Sequence, residues 1–256
     1  MLLPFKRILR RLMVLTPFEI HRRLPVITLD PLDLLLASYE ARGEKITILQ
    51  VGACDGTNRD PIHHHVIKGS TRAILIEPNP FAYARLEKTY EGLPDVTLIQ
   101  AAIGERDGTA NLYRVKKTDG MASQFDWNLL FASFSREHLE RHGIRPDQIE
   151  QITVPCRSLS SLVAELGLTK IDLLQVDTEG FDSAVVRMAL KLPRRPDCIN
   201  FEHVHLRMAD RQPIFDLLEA KGYLLSYDVW NILAVQKPLL DDVKRGKAFT
   251  LQVRKP

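Results

Sequence analysis

Residues 46–60 read ITILQVGACDGTNRD. Ile46 to Val51 is a run of apolar and β-compatible residues, the pattern of a buried strand. Gly52-Ala53-Cys54-Asp55-Gly56 follows as a tight turn of small residues, and Asp60-Pro61 offers an N-cap and a first helical position. Strand, glycine-rich turn and helix make the first unit of a nucleotide-binding α/β sheet. Glycine lets the backbone pass close to a ligand, and the N–H groups of such a turn favour polar or anionic groups. Downstream, Arg72 to Glu77 (RAILIE) repeats the buried-strand pattern and ends on an acid. Glu77 stands about 20 residues beyond the turn, where a carboxylate can accept both hydroxyls of a ribose.

Outward from this pair of strands the chain predicts further α/β units. Pro31 to Arg42 reads as a helix capped by Asp30, leading into the first strand. Phe81 to Tyr90 is a helix after the Pro78-Asn79-Pro80 break, and Val96 to Gln100 a third strand followed by Ala101-Ala102-Ile103-Gly104. Thr109 to Val115 reads as a strand after the Asp107-Gly108 turn. The α/β pattern returns with a short strand at Ile152 to Pro155, a helix at Ser158 to Leu166 closed by Gly167, and a strand at Ile171 to Val176 with its helix at Phe181 to Leu190. Cys198 to Glu202 is a strand, Pro213 to Lys221 a helix, and Tyr223 to Tyr227 with Asn231 to Val235 an antiparallel hairpin. Residues 117–150 are polar and mixed, with Phe125, Trp127, Phe131 and Phe134 among Ser, His and Arg. They read either as a lid inserted over the ligand edge or as a helical connection whose aromatics are core.

The chain of 256 residues suits one large domain, residues 26–256, preceded by a separate unit at 1–25. In that unit Phe5, Ile8, Leu9, Leu12 and Leu15 fall on one helical face, and Lys6, Arg7, Arg10 and Arg11 on the other. This basic amphipathic helix either lies on an anionic membrane surface or packs on protein. No apolar run reaches about 18 residues, the length of a transmembrane helix. A net charge of +3 is too small to argue for nucleic acid. Three widely spaced cysteines, Cys54, Cys156 and Cys198, argue against a disulfide framework or a zinc site and for a reducing, cytoplasmic setting, membrane-peripheral if the basic helix binds lipid.

In a doubly wound sheet, ligands bind at the carboxyl ends of the strands. There stand Gly52 to Gly56, Glu77, Ala101-Ala102, Asp177 with Glu179, and Glu202 with His203. VGACDGT, ILIEPNP, AAIG, VDTEGFD, NFEH and the late GYLLS…NILAV together resemble the FkbM family of S-adenosylmethionine-dependent methyltransferases, from about Ile46 to Val235. The resemblance implies the Rossmann-like class I methyltransferase fold: α/β, a seven-stranded, mostly parallel sheet with helices on both faces. It implies S-adenosyl-L-methionine as cofactor, with Gly52, Ala53 and Gly56 at its methionine end, Asp55 in the same turn, Glu77 on the ribose, Asn79 nearby, and Ala101 and Ala102 against the adenine. Gln50 stands where many methyltransferases carry an acid; its amide still accepts a hydrogen bond from the cofactor's ammonium group, more weakly than a carboxylate. A hydroxyl acceptor, as in a sugar, glycolipid or other small hydroxylated metabolite, needs a base, and Asp177, Glu202 and His203 are the candidates.

Asp177, Glu202 and His203 could also hold a divalent ion, but their separation in sequence leaves that to geometry, and no metal is expected. His63-His64-His65 cannot ligate one ion together, because consecutive helix positions point about 100° apart; the default is a helix start with two exposed histidines. Two other readings stand beside the methyltransferase. A nicotinamide-dependent sugar oxidoreductase or epimerase needs G-x-G-x-x-G, and here Cys54 and Thr57 occupy two of the three glycine positions. A non-catalytic, membrane-associated binding module would lack the row of carboxylates.

Overall fold

In the computed structural model, Ile46–Val51 forms the strand the sequence predicts, β1, with five of its six residues buried. The structure describes residues 30–57, 60–116, 130–204, 206, 208–227, 229–237 and 239. The basic segment 1–25 and Phe125 and Trp127 of the inserted stretch lie outside them. The chain divides into two units, Met1–Asp30 and Pro31–Pro256, and the second is described here.

In chain order the elements are α1 (Pro31–Ala41), β1, α2 (His63–Ile67), β2 (Thr71–Ile76), α3 (Pro80–Thr89), β3 (Val96–Ile99), β4 (Ala102–Gly104), β5 (Gly108–Val115), β6 (Ala132–Ser133), α4 (Arg136–Arg141), β7 (Ile149–Ser158), α5 (Leu159–Glu165), β8 (Leu173–Val176), α6 (Asp182–Ala189), β9 (Cys198–Glu202), α7 (Met208–Ala220), β10 (Tyr223–Tyr227) and β11 (Asn231–Gln236). The main sheet has seven strands in the order β10-β11-β9-β8-β1-β2-β3. β3, β2, β1, β8 and β9 run parallel, and β11 is antiparallel to both its neighbours. From β1 the chain winds outward through β2 to β3, then returns to β8 on the other flank. The order reverses between β1 and β8, and the crevice for a ligand opens at the carboxyl ends of that pair.

Alternate residues feed two cores, because strand side chains point to opposite faces with period two. Leu49, Val51, Leu174, Val176, Ile199 and Phe201 pack against Leu162 of α5, Val185 and Val186 of α6, and Ile214 and Leu218 of α7. Ile46, Ile48, Ala73, Leu75 and Leu173 pack on the opposite face with Leu32 and Leu36 of α1, Val66 of α2 and Leu86 of α3. α7 begins before Pro213, the start read from the sequence; Pro213 lies inside it, and the buried Ile214 and Leu218 anchor the helix despite the lost N–H.

A second sheet departs from the sequence reading. β7 is ten residues long rather than a short return to the α/β pattern. It pairs antiparallel with β5 from Gly108↔Cys156 to Val115↔Ile149, in a four-stranded sheet ordered β4-β7-β5-β6. Its small core is Ala102, Leu112, Val154 and Cys156. The described part of the inserted stretch, residues 130–150, contains β6, α4 and the start of β7.

Candidate active site

Register decides what meets at the crevice. Gln50 lies beside Leu75 on one flank and Gln175 on the other, and Gln175 beside Asn200. Two residues further along each strand stand Gly52, Glu77, Asp177 and Glu202, so all four leave the sheet on the same face at its carboxyl edge. Beneath them Asn200 Nδ2 donates to Gln175 Oε1 at 2.8 Å, in a buried polar row that begins at Gln50.

The turn after β1 is shaped by its neighbours. Gly52 has φ +84°, and a Cβ there would sit 1.7 Å from the carbonyl oxygen of Asp177, so the β1 turn passes directly over the end of β8. The N–H groups of Gly52 and Ala53 both donate to Ile76 O. Glu77 then joins two turns: Oε2 accepts from Cys54 N at 2.9 Å and Oε1 from Asn79 N at 2.7 Å. Its carboxyl is 6% exposed; burial pushes its pKa up to about 7 against the pull of those two N–H groups. Cys54, left-handed at φ 52°, has its thiol pushed far up by burial and by the Glu77 carboxylate. Asp55 closes the turn by accepting from the N–H and hydroxyl of Thr57, both at 3.0 Å.

Several residues expected at the cofactor have structural partners. Asn79 is fully buried; its Oδ1 caps α3 by accepting from Phe81 N, and its Nδ2 donates to Leu130 O. Ala53 packs into the α1–α3 core, and Ala102 into the core of the second sheet, with Ala101 buried beside it. Gln50 Oε1 is buried without a hydrogen-bond partner, and so is Oδ2 of Asp60. Burial raises Asp60 to about 6, with Ile62 N–H and the neighbouring Gln50 amide pulling it back. The sequence reading took Asp60-Pro61 as N-cap and first helical position; instead α2 starts at His63 with Ile62 at its N-cap, and Asp60 accepts from Ile62 N at 2.9 Å in the turn before it.

The turn after β8 is the most tightly bound part of the site. Glu179 and Gly180 are both left-handed, at φ 51° and 100°. Asp182, fully buried and unassigned in the sequence, accepts from Thr178 N at 3.3 Å and Gly180 N at 3.2 Å; burial raises it to about 6 against those bonds. The inserted stretch grips the same turn. His138 Nε2 meets Glu179 Oε2 at 2.9 Å, Ser133 Oγ donates to Glu179 O at 3.0 Å, and Phe134 packs edge-on to Phe181. No pattern in the sequence pointed to His138 or Ser133.

Asp177 is exposed to solvent at the crevice, yet protein packed around its carboxyl, and then the charges of Asp182, Glu202, Glu179 and Asp60, hold its pKa well above the ordinary carboxylate range. Glu202, half-buried, is pushed up to about 8 by burial, then by Glu179 and Asp182. His203 closes β9 onto the hairpin, its N–H donating to Trp230 O at 2.9 Å. Among the described residues Asp177, Glu202 and His203 are not drawn together as metal ligands; the groups that are close enough are Asp33, His64 and His65, and His138, His142 and Glu179. Of the three consecutive histidines only His64 is exposed; His65 is buried against Glu40 at 2.6 Å and His63 is half-buried near Tyr90.

A seven-stranded sheet reversing at β1, one antiparallel strand near its far edge, a glycine turn and an acid ending β2 define a Rossmann-like methyltransferase fold. The chain belongs to the family of the methyltransferase FkbM domain, which matches residues 50–225. The 2-O-methyltransferase NoeI of Sinorhizobium fredii (strain NBRC 101917 / NGR234) is 28% identical over 139 residues, 54% of this chain and 55% of NoeI. The chain thus spans about half the length of that curated relative. Similar solved structures include the methyltransferase FkbM from Methylobacillus flagellatus KT, with 15% identity and TM-score 0.46 over 75% of this chain and 43% of that one. The O-methyltransferase from Bacillus cereus in complex with SAH has 13% identity and TM-score 0.44, over 90% of this chain and 97% of that one.

Proposed function

We propose that this protein is an S-adenosylmethionine-dependent O-methyltransferase acting on a hydroxyl of a sugar, glycolipid or other small hydroxylated metabolite. The observation that carries the reading is the row Gly52, Glu77, Asp177 and Glu202 on one face of the sheet, where the strand order reverses. Family membership supports methyl transfer, and the name of NoeI supports oxygen as the acceptor atom.

The residues present fit the cofactor. Each Glu77 oxygen takes one backbone N–H and keeps a lone pair for a ribose hydroxyl. The acceptor oxygens of Gln50 and Asp60 under the first turn suit an ammonium group, and the crowd of carboxylates suits a positively charged sulfonium. When bound, the cofactor supplies a methyl group activated by positive sulfur. The chain's task is alignment and removal of one proton. Asp177 orients the acceptor hydroxyl and takes its proton as the oxygen–methyl bond forms, and Glu202 supplies a second polar wall.

Calorimetry with S-adenosylhomocysteine and with NAD tests the reading. Binding of the first alone supports it; binding of NAD alone establishes the oxidoreductase reading in its place, and binding of neither leaves a non-catalytic module.

A further inference from the structure

We propose that His138, His142 and Glu179 form a binding site for a divalent transition-metal ion of zinc-like chemistry, clamping the inserted stretch onto the turn after β8. One ligand atom from each of the three residues lies within 4.8 Å of the others. In a tetrahedral zinc site the Zn–N and Zn–O distances are about 2.0–2.2 Å, which leaves neighbouring ligand atoms a little over 3 Å apart. His138 Nε2 and Glu179 Oε2 stand at 2.9 Å, a hydrogen-bonded pair of nearly that span. The two histidines are four residues apart at the C-terminal end of α4, on one face, with ring centroids 4.4 Å apart.

The outer contacts of His142 are those of a metal ligand. Its Nδ1 donates to His138 O at 2.9 Å, the kind of backbone contact that orients a ligating imidazole. The Phe131 ring stacks on the imidazole at 6.0 Å and fixes its plane. Two imidazoles and one carboxylate are a borderline-soft set that selects zinc-like ions over magnesium or calcium, and three protein ligands leave a fourth position for water. The site is held from both sides: Ser133 Oγ binds Glu179 O, and Gly180 backs onto the His138 ring. An ion there would tie β6 and α4 to the left-handed Glu179–Gly180 turn that carries Asp177 into the crevice. None of its three ligands is among the residues proposed to hold cofactor or take the proton.

The test is calorimetric titration of the full, chelator-stripped chain with Zn²⁺, repeated with Co²⁺ for its visible absorption, alongside thermal melts. One ion per chain is expected, with the d–d bands of a four-coordinate site and a rise in Tm of several degrees at saturating metal. His142→Ala, an exposed position whose loss leaves the fold intact, should abolish binding and the Tm rise, whereas His64→Ala at the Asp33–His64–His65 group should leave both unchanged. Absence of uptake by the native chain, uptake that survives His142→Ala, or uptake lost with His64→Ala overturns the proposal. None of these readouts depends on methyl transfer, so this site and the proposed function fail separately.

Discussion

At the scale of single residues, Asp177 shows how backbone and charge combine. Gly52 lies against its carbonyl, β8 carries it to the crevice, and burial of its carboxyl, then four other carboxylates, discourage its ionisation. An ordinary carboxylate near pKa 4 is a poor base for an alcohol; raising the pKa improves the match. Asp177→Asn keeps the shape and removes the proton acceptor. It is expected to cut turnover roughly 10²–10⁴-fold while cofactor affinity changes little. Steady-state kinetics with a labelled methyl group, beside calorimetry on the same variant, measures both; near-normal turnover would move the base to Glu202 or His203. Gly52, Glu77 and Asp177 were legible because each ends or follows a run of buried-strand residues. Asp182 was not, since a carboxylate one residue into a helix usually reads as a surface charge at its positive end.

At the scale of elements, the turn between β8 and α6 depends on that buried Asp182. Its two oxygens accept the N–H groups of Thr178 and Gly180, which a left-handed turn leaves without strand or helix partners. Asp182→Ala strips both bonds at a fully buried position and is expected to destabilise the protein by about 2–4 kcal/mol, from two donors left unsatisfied. Urea denaturation measures it; a loss under about 1 kcal/mol would mean that the turn finds other partners. The strands of the main sheet were readable from apolar runs, although β8 starts at Leu173 rather than at Ile171. The pairing of β5 with β7 was not, because the two strands are separated by the whole inserted stretch and only the folded chain brings Gly108 opposite Cys156.

At the scale of the whole molecule, buried and half-buried acids set a pH dependence. Glu77, Asp60, Asp182 and Glu202 have pKa values of about 7, 6, 6 and 8, each raised chiefly by burial. In the unfolded chain such groups titrate near 4. Between pH 4 and 8 the folded state therefore binds more protons than the unfolded state, and stability falls as pH rises through the folded values. Melting without cofactor should give a higher Tm at pH 6 than at pH 8, by several degrees; the reverse order would mean that these carboxyls are solvated. The basic segment 1–25 carries a separate proposal, peripheral attachment to anionic membranes, each basic residue contributing about 1 kcal/mol at low salt. Flotation with liposomes containing anionic lipid should carry the full chain and leave a form truncated at Pro25 in solution, and equal behaviour would assign the segment to protein packing. Among the described residues no helix is long and apolar enough to cross a membrane.

The sequence by itself determined the buried strands, the glycine turn between β1 and α2, and the acids at the ends of β2, β8 and β9. These are local: hydrophobic period, turn chemistry and chain order are written within a few residues of each other. Tertiary structure alone decided that Asn79 meets Leu130 and Ala102 packs with Leu112 and Val154, that Asp60 Oδ2 and Asp182 lie buried beside the crevice, and that His138 and His142 reach Glu179. Those relations join residues far apart in the chain, and burial, charge crowding and metal-ligand spacing arise only when the sheet sets distant segments side by side.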